Sequence, residues 1–226
     1  MVQAAHSRVA KAHDVQIRSG AVMLEGDLSI PAGAQGVVLF AHGSGSSRHS
    51  PRNQFVARTI REAGVGTLLF DLLTTDEEAI DTRTGHLRFD IGLLAERLID
   101  ATYWIKGDLD YLRVGYFGSS TGGGAALVAA AKLGESVGAV VSRGGRPDLA
   151  GDGLPEVKSP TLLIVGGFDY PVIEMNEEAL ARLRCEKELK IVPGATHLFE
   201  EPGTLQEVAR LAADWFHRHL HSGQAQ

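Results

Sequence analysis

The sequence predicts an α/β fold, with a mostly parallel central sheet of about eight strands, an antiparallel opening strand and helices on both faces. Three observations predict it. Strand-like and helix-like stretches alternate almost from end to end. The strand-like stretches in the middle of the chain are short continuous apolar runs such as Val37–Ala41, as strands covered on both faces require. One of them, Val114–Phe117, passes through Gly118-Ser119-Ser120-Thr121-Gly122 straight into an Ala-rich helix.

Taken in order, Val15–Arg18 and Val22–Ile30 read as an opening hairpin around Ser19-Gly20, with Val22, Leu24 and Leu28 on one face. Val37–Ala41 ends in the glycine- and serine-rich turn His42-Gly43-Ser44-Gly45-Ser46-Ser47. Asn53–Ala63 reads as a helix stopped by Gly64, and Gly66–Phe70 as a strand closed by Asp71. Leu72–Arg88 reads as a long charged loop, carrying Asp76-Glu77-Glu78 and then Arg83, His86 and Arg88. Phe89–Ile105 has Ile91, Leu94, Leu98, Ile99 and Tyr103 at helical spacing. Val114–Phe117 is a strand and Ser120–Leu133 its helix; Ala139–Val141, Thr161–Val165 and Leu189–Val192 are further strands. Glu174–Leu183 and Leu205–Leu220 are amphipathic helices. The short Ser142–Pro160 connection leaves no room for a large lid, so an open site is expected. No repeat, low-complexity segment or linker marks a boundary, so 1–226 reads as a single domain.

Bulk properties exclude several classes. A 44% hydrophobic and 22% charged composition is that of a globular chain, and a formal charge of −6 argues against nucleic acid as a partner. One cysteine, Cys185, rules out an internal disulfide and fits a reducing compartment. Met1–Asp14 lacks the apolar core of a signal peptide and no apolar run has the length of a membrane span, so a cytoplasmic protein without a membrane partner is expected. Apolar residues on Leu205–Leu220 serve either a homodimer or packing within a monomer.

The chemistry concentrates at Gly118–Gly122. Gly-x-Ser-x-Gly between strand and helix is a nucleophile elbow, a strained turn with a serine at its tip. The tip is Ser120, with Gly at two residues on each side; Ser119 would need Gly where Phe117 stands. Serine needs a base, a group to orient the base, and donors for the oxyanion. His197, in Gly194-Ala195-Thr196-His197 after the last strand, is the candidate base. Asp169, in Gly167-Phe168-Asp169 after the strand before it, is the candidate acid, with Asp148 and Asp71 as rivals and a helix cap as its plain alternative. All lie at carboxyl ends of strands, where open α/β sheets bind ligands. The amides of Ser44 and Thr121 are the candidate oxyanion donors, and His42 is expected to brace that turn. Gly122-Gly123-Gly124 has neither a Lys nor the spacing of a nucleotide loop and is expected to allow close packing of helix on sheet. His217, His219 and His221 read as a cationic helix end, with no metal site expected. Arg48, Arg52, Arg83, Arg88, Arg143 and Arg146 all follow predicted strands. Arg48, Arg83, Arg88 and Arg143 are candidate contacts to an anionic substrate, with ordinary surface charge as the alternative.

Together His42-Gly43-Ser44-Gly45, Gly118–Gly122, Gly167-Phe168-Asp169 with Pro171-Val172, and Gly194–His197 resemble the α/β-hydrolase superfamily, and within it the small dienelactone-hydrolase-like members. The resemblance covers nearly the whole chain. It implies a Ser/Cys-His-Asp triad, no cofactor, and a small-molecule ester, lactone or other acyl substrate. The namesake enzymes carry cysteine at the elbow tip where this chain has Ser120, so dienelactone itself is not carried over. The expected activity is that of a serine esterase or lactonase-like acyl hydrolase. An acyltransferase with the same triad, or a ligand-binding protein that has lost turnover, are the alternatives.

Overall fold

The structure, a computed structural model, describes residues 12–221. Eight strands, β1 (His13–Ser19), β2 (Val22–Ser29), β3 (Gly36–Ala41), β4 (Gly66–Phe70), β5 (Arg113–Ser119), β6 (Val137–Arg143), β7 (Thr161–Gly166) and β8 (Lys187–Val192), join in one sheet. Their order is β1-β2-β4-β3-β5-β6-β7-β8. β2 is antiparallel to both of its neighbours, and from β4 to β8 every pairing is parallel. The carboxyl ends of β3, β5, β7 and β8 therefore share one edge, and the Ser120, Asp169 and His197 turns leave from it.

The described residues form six α-helices, α1 (Pro51–Glu62), α2 (Thr75–Thr84), α3 (Ile91–Asp108), α4 (Thr121–Leu133), α5 (Tyr170–Arg182) and α6 (Thr204–Leu220), of which all but α2 pack on the sheet. Val38, Phe40, Phe117, Val141 and Ile164 pack under α1 and α6. Val37, Leu39, Tyr116, Val140 and Leu163 pack on the other face with α3, α4 and part of α5. Burial on both faces explains why β3, β4 and β7 are unbroken apolar runs rather than alternating ones, since no position in them meets water. Among the described residues no helix is long and apolar enough to cross a membrane.

The segment 72–88 is not the loop that its charge suggested. It holds α2 and a single 3₁₀ turn, Leu87–Phe89. α2 has no apolar stripe, so hydrophobic periodicity does not announce it; its stability comes from its ends. Thr74 and Glu77 form a capping box, each side chain accepting the other's backbone N–H at 3.2 and 2.8 Å. Three acidic residues lie in its first turn, Arg83 in its last, and Gly85 closes it in the left-handed conformation. Two carboxylates then pin it down. Glu77 takes the buried Arg97 guanidinium of α3 at 2.6 Å. Asp81, fully buried, accepts the Leu87 amide at 2.7 Å, the Arg88 amide at 3.3 Å and Arg88 Nε at 2.5 Å.

Smaller differences concern helix starts. Asp90 caps α3 by accepting the Leu93 amide at 3.0 Å, so that helix begins at Ile91. The 142–160 connection contains a 3₁₀ segment, Pro147–Glu156, packed against α4 and α5 and adding no lid.

The Glu77–Arg97 clamp yields an asymmetric expectation. Glu77→Ala strands a buried guanidinium and is expected to destabilise the protein by about 3 kcal/mol in urea unfolding. Arg97→Met leaves a partly exposed carboxylate still bonded to the Thr74 amide and is expected to cost less than half as much.

Candidate functional site

Ser120 stands between β5 and α4 with φ 51° and ψ −121°, a conformation that among the described non-glycine residues only Phe199 approaches in sign. The glycines around it are there for space. A Cβ on Gly118 would lie 2.4 Å from the Gly122 carbonyl oxygen, and one on Gly122 would lie 2.1 Å from that of Ala41. The following glycines let α4 ride against the backbone after β6, as expected. Ser120 N–H donates to the Arg143 carbonyl at 3.3 Å, and the Ser120 carbonyl accepts from Gly123 and Arg146, both at 3.0 Å. Although serine at an N-cap position ordinarily caps, the Ser120 side chain makes no cap bond. Its Cβ faces Gly43, where a Cβ would come within 3.2 Å of it.

Asp169 occupies the N-cap of α5, and it too makes no side-chain cap bond. Its Oδ2 instead accepts from His197 Nδ1 at 2.6 Å. That bond fixes the ring tautomer, with the proton on Nδ1 and Nε2 left as the basic nitrogen. The Nδ1–Cε1 edge of the ring lies near Gly144, where a Cβ would be 3.5 Å from both atoms. Gly144 follows Arg143, whose carbonyl holds the Ser120 amide, so the histidine loop and the elbow meet around one short piece of backbone. The rival acids are committed elsewhere: Asp148 to Arg146 through two bonds of 2.8 and 2.7 Å, and Asp71 to Arg48.

The histidine loop is held from both ends. Glu201 accepts the Thr196 amide at 3.1 Å and the Thr196 hydroxyl at 2.6 Å. Phe199 inserts its ring into the core under α1 and α6. Sequence reading missed both supports. It also missed an apolar rim: Phe168, Tyr170 and Leu198 flank Asp169 and His197 in the chain and are exposed. The signal for the rim was present in the aromatic residues on either side of Asp169.

The turn after β3 comes next to α4. Ser44 N–H donates to Thr121 Oγ1 at 3.1 Å, and Thr121 is the first residue of α4, where an N–H has no intrahelical partner. His42 braces this turn: Nδ1 donates to the Gly43 carbonyl at 3.0 Å and Nε2 accepts the Leu72 amide at 3.0 Å. Both ring nitrogens are thus used by the neutral form. Burial pushes the His42 pKa below its ordinary 6.5, against the opposing pull of the Gly43 carbonyl, Asp71 and Glu78. Between this turn and α2 lies a cavity of about 20 Å³ bordered by Ser44, Leu72 and Arg88, room for one water rather than a substrate.

The structure corrects the arginine set. Arg48 is bonded to Asp71 and, at 2.7 Å, to Glu25, which makes it a tie between the β3 turn and the sheet edge. Arg88 is held by buried Asp81, and Arg83 lies exposed on the last turn of α2. Arg48 and Arg88 are thus bound to carboxylates of the chain itself, while Arg83 stays exposed. Arg143 differs: it is 7% exposed and meets no carboxylate. At the far end, His217 Nδ1 bonds the Ala63 carbonyl at 3.2 Å and its ring lies tilted against that of His221. Among the described residues no group of three or more His, Cys, Asp or Glu side chains is arranged to hold a metal.

The family model of the dienelactone hydrolases matches residues 25–221. Two curated relatives, from the CDC 1551 / Oshkosh and H37Rv strains of Mycobacterium tuberculosis, are each 56% identical over 221 residues. The match takes in 97% of this chain and 49% of theirs, so the chain spans about half the length of these relatives, which bear the provisional name phosphoribosyl transferase. Among solved structures, a dienelactone hydrolase from Anabaena variabilis ATCC 29413 is 62% identical over 95% of this chain and 100% of that one, with a TM-score of 0.93. An α/β serine hydrolase without a lid from Xanthomonas campestris is similar in fold, with 19% identity, a TM-score of 0.73, and coverage of 94% and 96%.

Because the folded state prefers neutral His42, that preference stabilises the protein fully above pH 6.5 and is lost as the pH falls below it toward the lowered folded value. Thermal melting followed from about pH 7 to about pH 5 is expected to show a declining midpoint. In His42→Gln the decline should be shallower, with the remainder due to His219 and His221, whose pKa values burial also lowers.

Proposed function

The chain belongs to the dienelactone hydrolase family, and from that premise we propose that it is a serine hydrolase of ester, lactone or related acyl bonds. The observation that carries this reading is the 2.6 Å bond from His197 to an aspartate that stands at a helix N-cap yet turns its carboxylate to the imidazole. Ser120 Oγ attacks the acyl carbonyl while His197 Nε2 takes its proton, and Asp169 stabilises the imidazolium. The C–O bond to the leaving alcohol breaks as His197 returns the proton to that oxygen. Water, deprotonated by the same nitrogen, then releases the acid and restores Ser120. The oxyanion takes the Thr121 N–H and draws the Ser44 N–H away from Thr121 Oγ1. Phe168, Tyr170 and Leu198 offer apolar surface to the acyl or alcohol part.

The name of the Anabaena relative places lactones beside simple esters among the substrates to assay. Acyl transfer to an acceptor other than water through the same serine is the second reading; the name of the mycobacterial relatives denotes phosphoribosyl transfer, a different chemistry, and does not bear on it. Those relatives are about twice as long as the part matched, and the matched part carries the elbow and the Asp–His loop, so we read this part as a hydrolase.

Two expectations follow from the assigned roles. A fluorophosphonate probe should label the native protein and fail to label Ser120→Ala, and His197→Ala should react far more slowly; undiminished labelling of Ser120→Ala ends the assignment. Asp169→Asn should lower kcat on the order of 10³–10⁴-fold, whereas Asp148→Asn should change it less than about threefold. Product analysis with added alcohols separates hydrolysis from transfer.

A further inference from the structure

Residues 143–146, where β6 ends, form a short backbone strap that touches both halves of the site. The Arg143 carbonyl accepts Ser120 N–H at 3.3 Å, and the Arg146 amide donates to the Ser120 carbonyl at 3.0 Å. Between them, Gly144 sits beside the His197 ring and donates its own amide to the Ile164 carbonyl of β7 at 2.7 Å. Gly145 completes the strap and has no room for a side chain. A Cβ there would lie 1.9 Å from Ser142 Oγ and 3.4 Å from the Gly123 Cα. The strap is thus gripped by the elbow, by β7 and by the start of α4.

A side chain from α5 holds it as well. Asn176 is fully buried, and its Nδ2 donates to two carbonyls, that of Gly145 at 3.1 Å and that of Val172 at 2.7 Å. Both partners only accept, so the NH2 end of the amide must face them. The Val172 bond, four residues back on the same helix, fixes the side chain to the first turn of α5. The Gly145 bond then carries that grip across to the strap. Asn176 Oδ1 is buried without a partner among the described residues. A leucine would fill the space without stranding an acceptor, so what asparagine supplies here is its fork of two N–H groups. The same helix has Asp169 at its N-cap, bonded to His197.

We propose that Asn176 is a positioning residue, which sets the spacing between Ser120 and the Asp169–His197 pair by locking the helix of the acid to the strap of the nucleophile. It touches neither substrate nor any reacting atom. The inference rests on the hydrolase reading, which supplies the roles of those three residues. Ser120 and the acid leave from different strands, β5 and β7, with β6 between them, so their separation depends on what ties the turns together beyond the sheet. A misplacement of about 1 Å between reacting groups costs on the order of 100-fold in rate. Losing one bond that fixes this distance should therefore slow the chemical step and leave substrate binding, made elsewhere on the open edge, nearly as it was.

The test compares the native protein with Asn176→Leu, which removes the N–H fork, and Asn176→Asp, which keeps the shape and replaces the fork with oxygen. Active sites are counted by exhaustive titration with a fluorophosphonate, and kcat for p-nitrophenyl butyrate is expressed per titrated site. A merely structural role would lower the number of sites and leave the rate of each unchanged. The inference predicts that kcat per site falls about 10–100-fold in both variants while KM stays within about threefold. Gly145→Ala approaches the strap from its other side and serves if the Asn176 variants do not fold. It drives the strap off Ser142 Oγ and should show the same loss per site, with Ser142→Ala/Gly145→Ala recovering most of it. Rates per site within about threefold of native in the folded variants overturn the inference, as does a loss carried by KM alone. A native protein that takes no label and turns over no ester ends the hydrolase reading and this inference with it. Native labelling and turnover matched by the variants ends this inference alone.

Discussion

A serine held at φ 51° and ψ −121° costs roughly 1–3 kcal/mol relative to a relaxed backbone, and here the neighbouring chain makes that conformation the one that fits. Gly118 and Gly122 clear the space, while the Arg143 carbonyl and the Arg146 amide grip the peptide groups on either side of Ser120. Gly43 lets the turn after β3 close to the serine, which brings Ser44 onto Thr121. His197 then packs on Gly144, in the same stretch of backbone. Relaxing the tip would loosen all three contacts together. The parallel sheet is what makes them meet, since it delivers each turn to one edge.

Helix caps within the chain offer an internal comparison. Ser50, Thr74 and Asp90 each accept an amide at the start of their helices, as their residue types favour. Ser120 and Asp169 occupy the same kind of position with the same kind of side chain and do not cap. Each forgoes about 1 kcal/mol of helix stability. Strain and withheld caps at two points of one edge are features that packing alone does not require. They fit groups kept ready for a reaction. The surrounding electrostatics is arranged in the same spirit, with carboxylates committed to arginines away from the site and the one uncommitted aspartate of the β7 turn given to His197.

Much of this was legible beforehand because it is local. Strands buried on both faces must be continuous apolar runs, so Val37–Ala41 and Thr161–Val165 could be read directly. The elbow is likewise written in five consecutive residues, and the order of Ser120, Asp169 and His197 follows from which strand each succeeds. α2 was hidden because it has no apolar face, although its Thr74-x-x-Glu77 box was a local sign that a helix starts there. The roles of the arginines were not legible at all. Position after a strand says which edge a side chain approaches; it does not say that Glu25 and Asp71 will take Arg48, that Asp81 will take Arg88, or that nothing will take Arg143. Those partners meet only once the sheet has formed.

The central claim is that Ser120, the Asp169–His197 pair and the Ser44 and Thr121 amides act on one carbonyl. A crystal structure of the protein after reaction with a phosphonate ester tests it most directly. The account predicts phosphorus bonded to Ser120 Oγ and its non-ester oxygen about 2.7–3.1 Å from both amide nitrogens. His197 Nε2 should face the leaving-group side. An adduct on another residue, or a phosphoryl oxygen turned away from both amides, would contradict it.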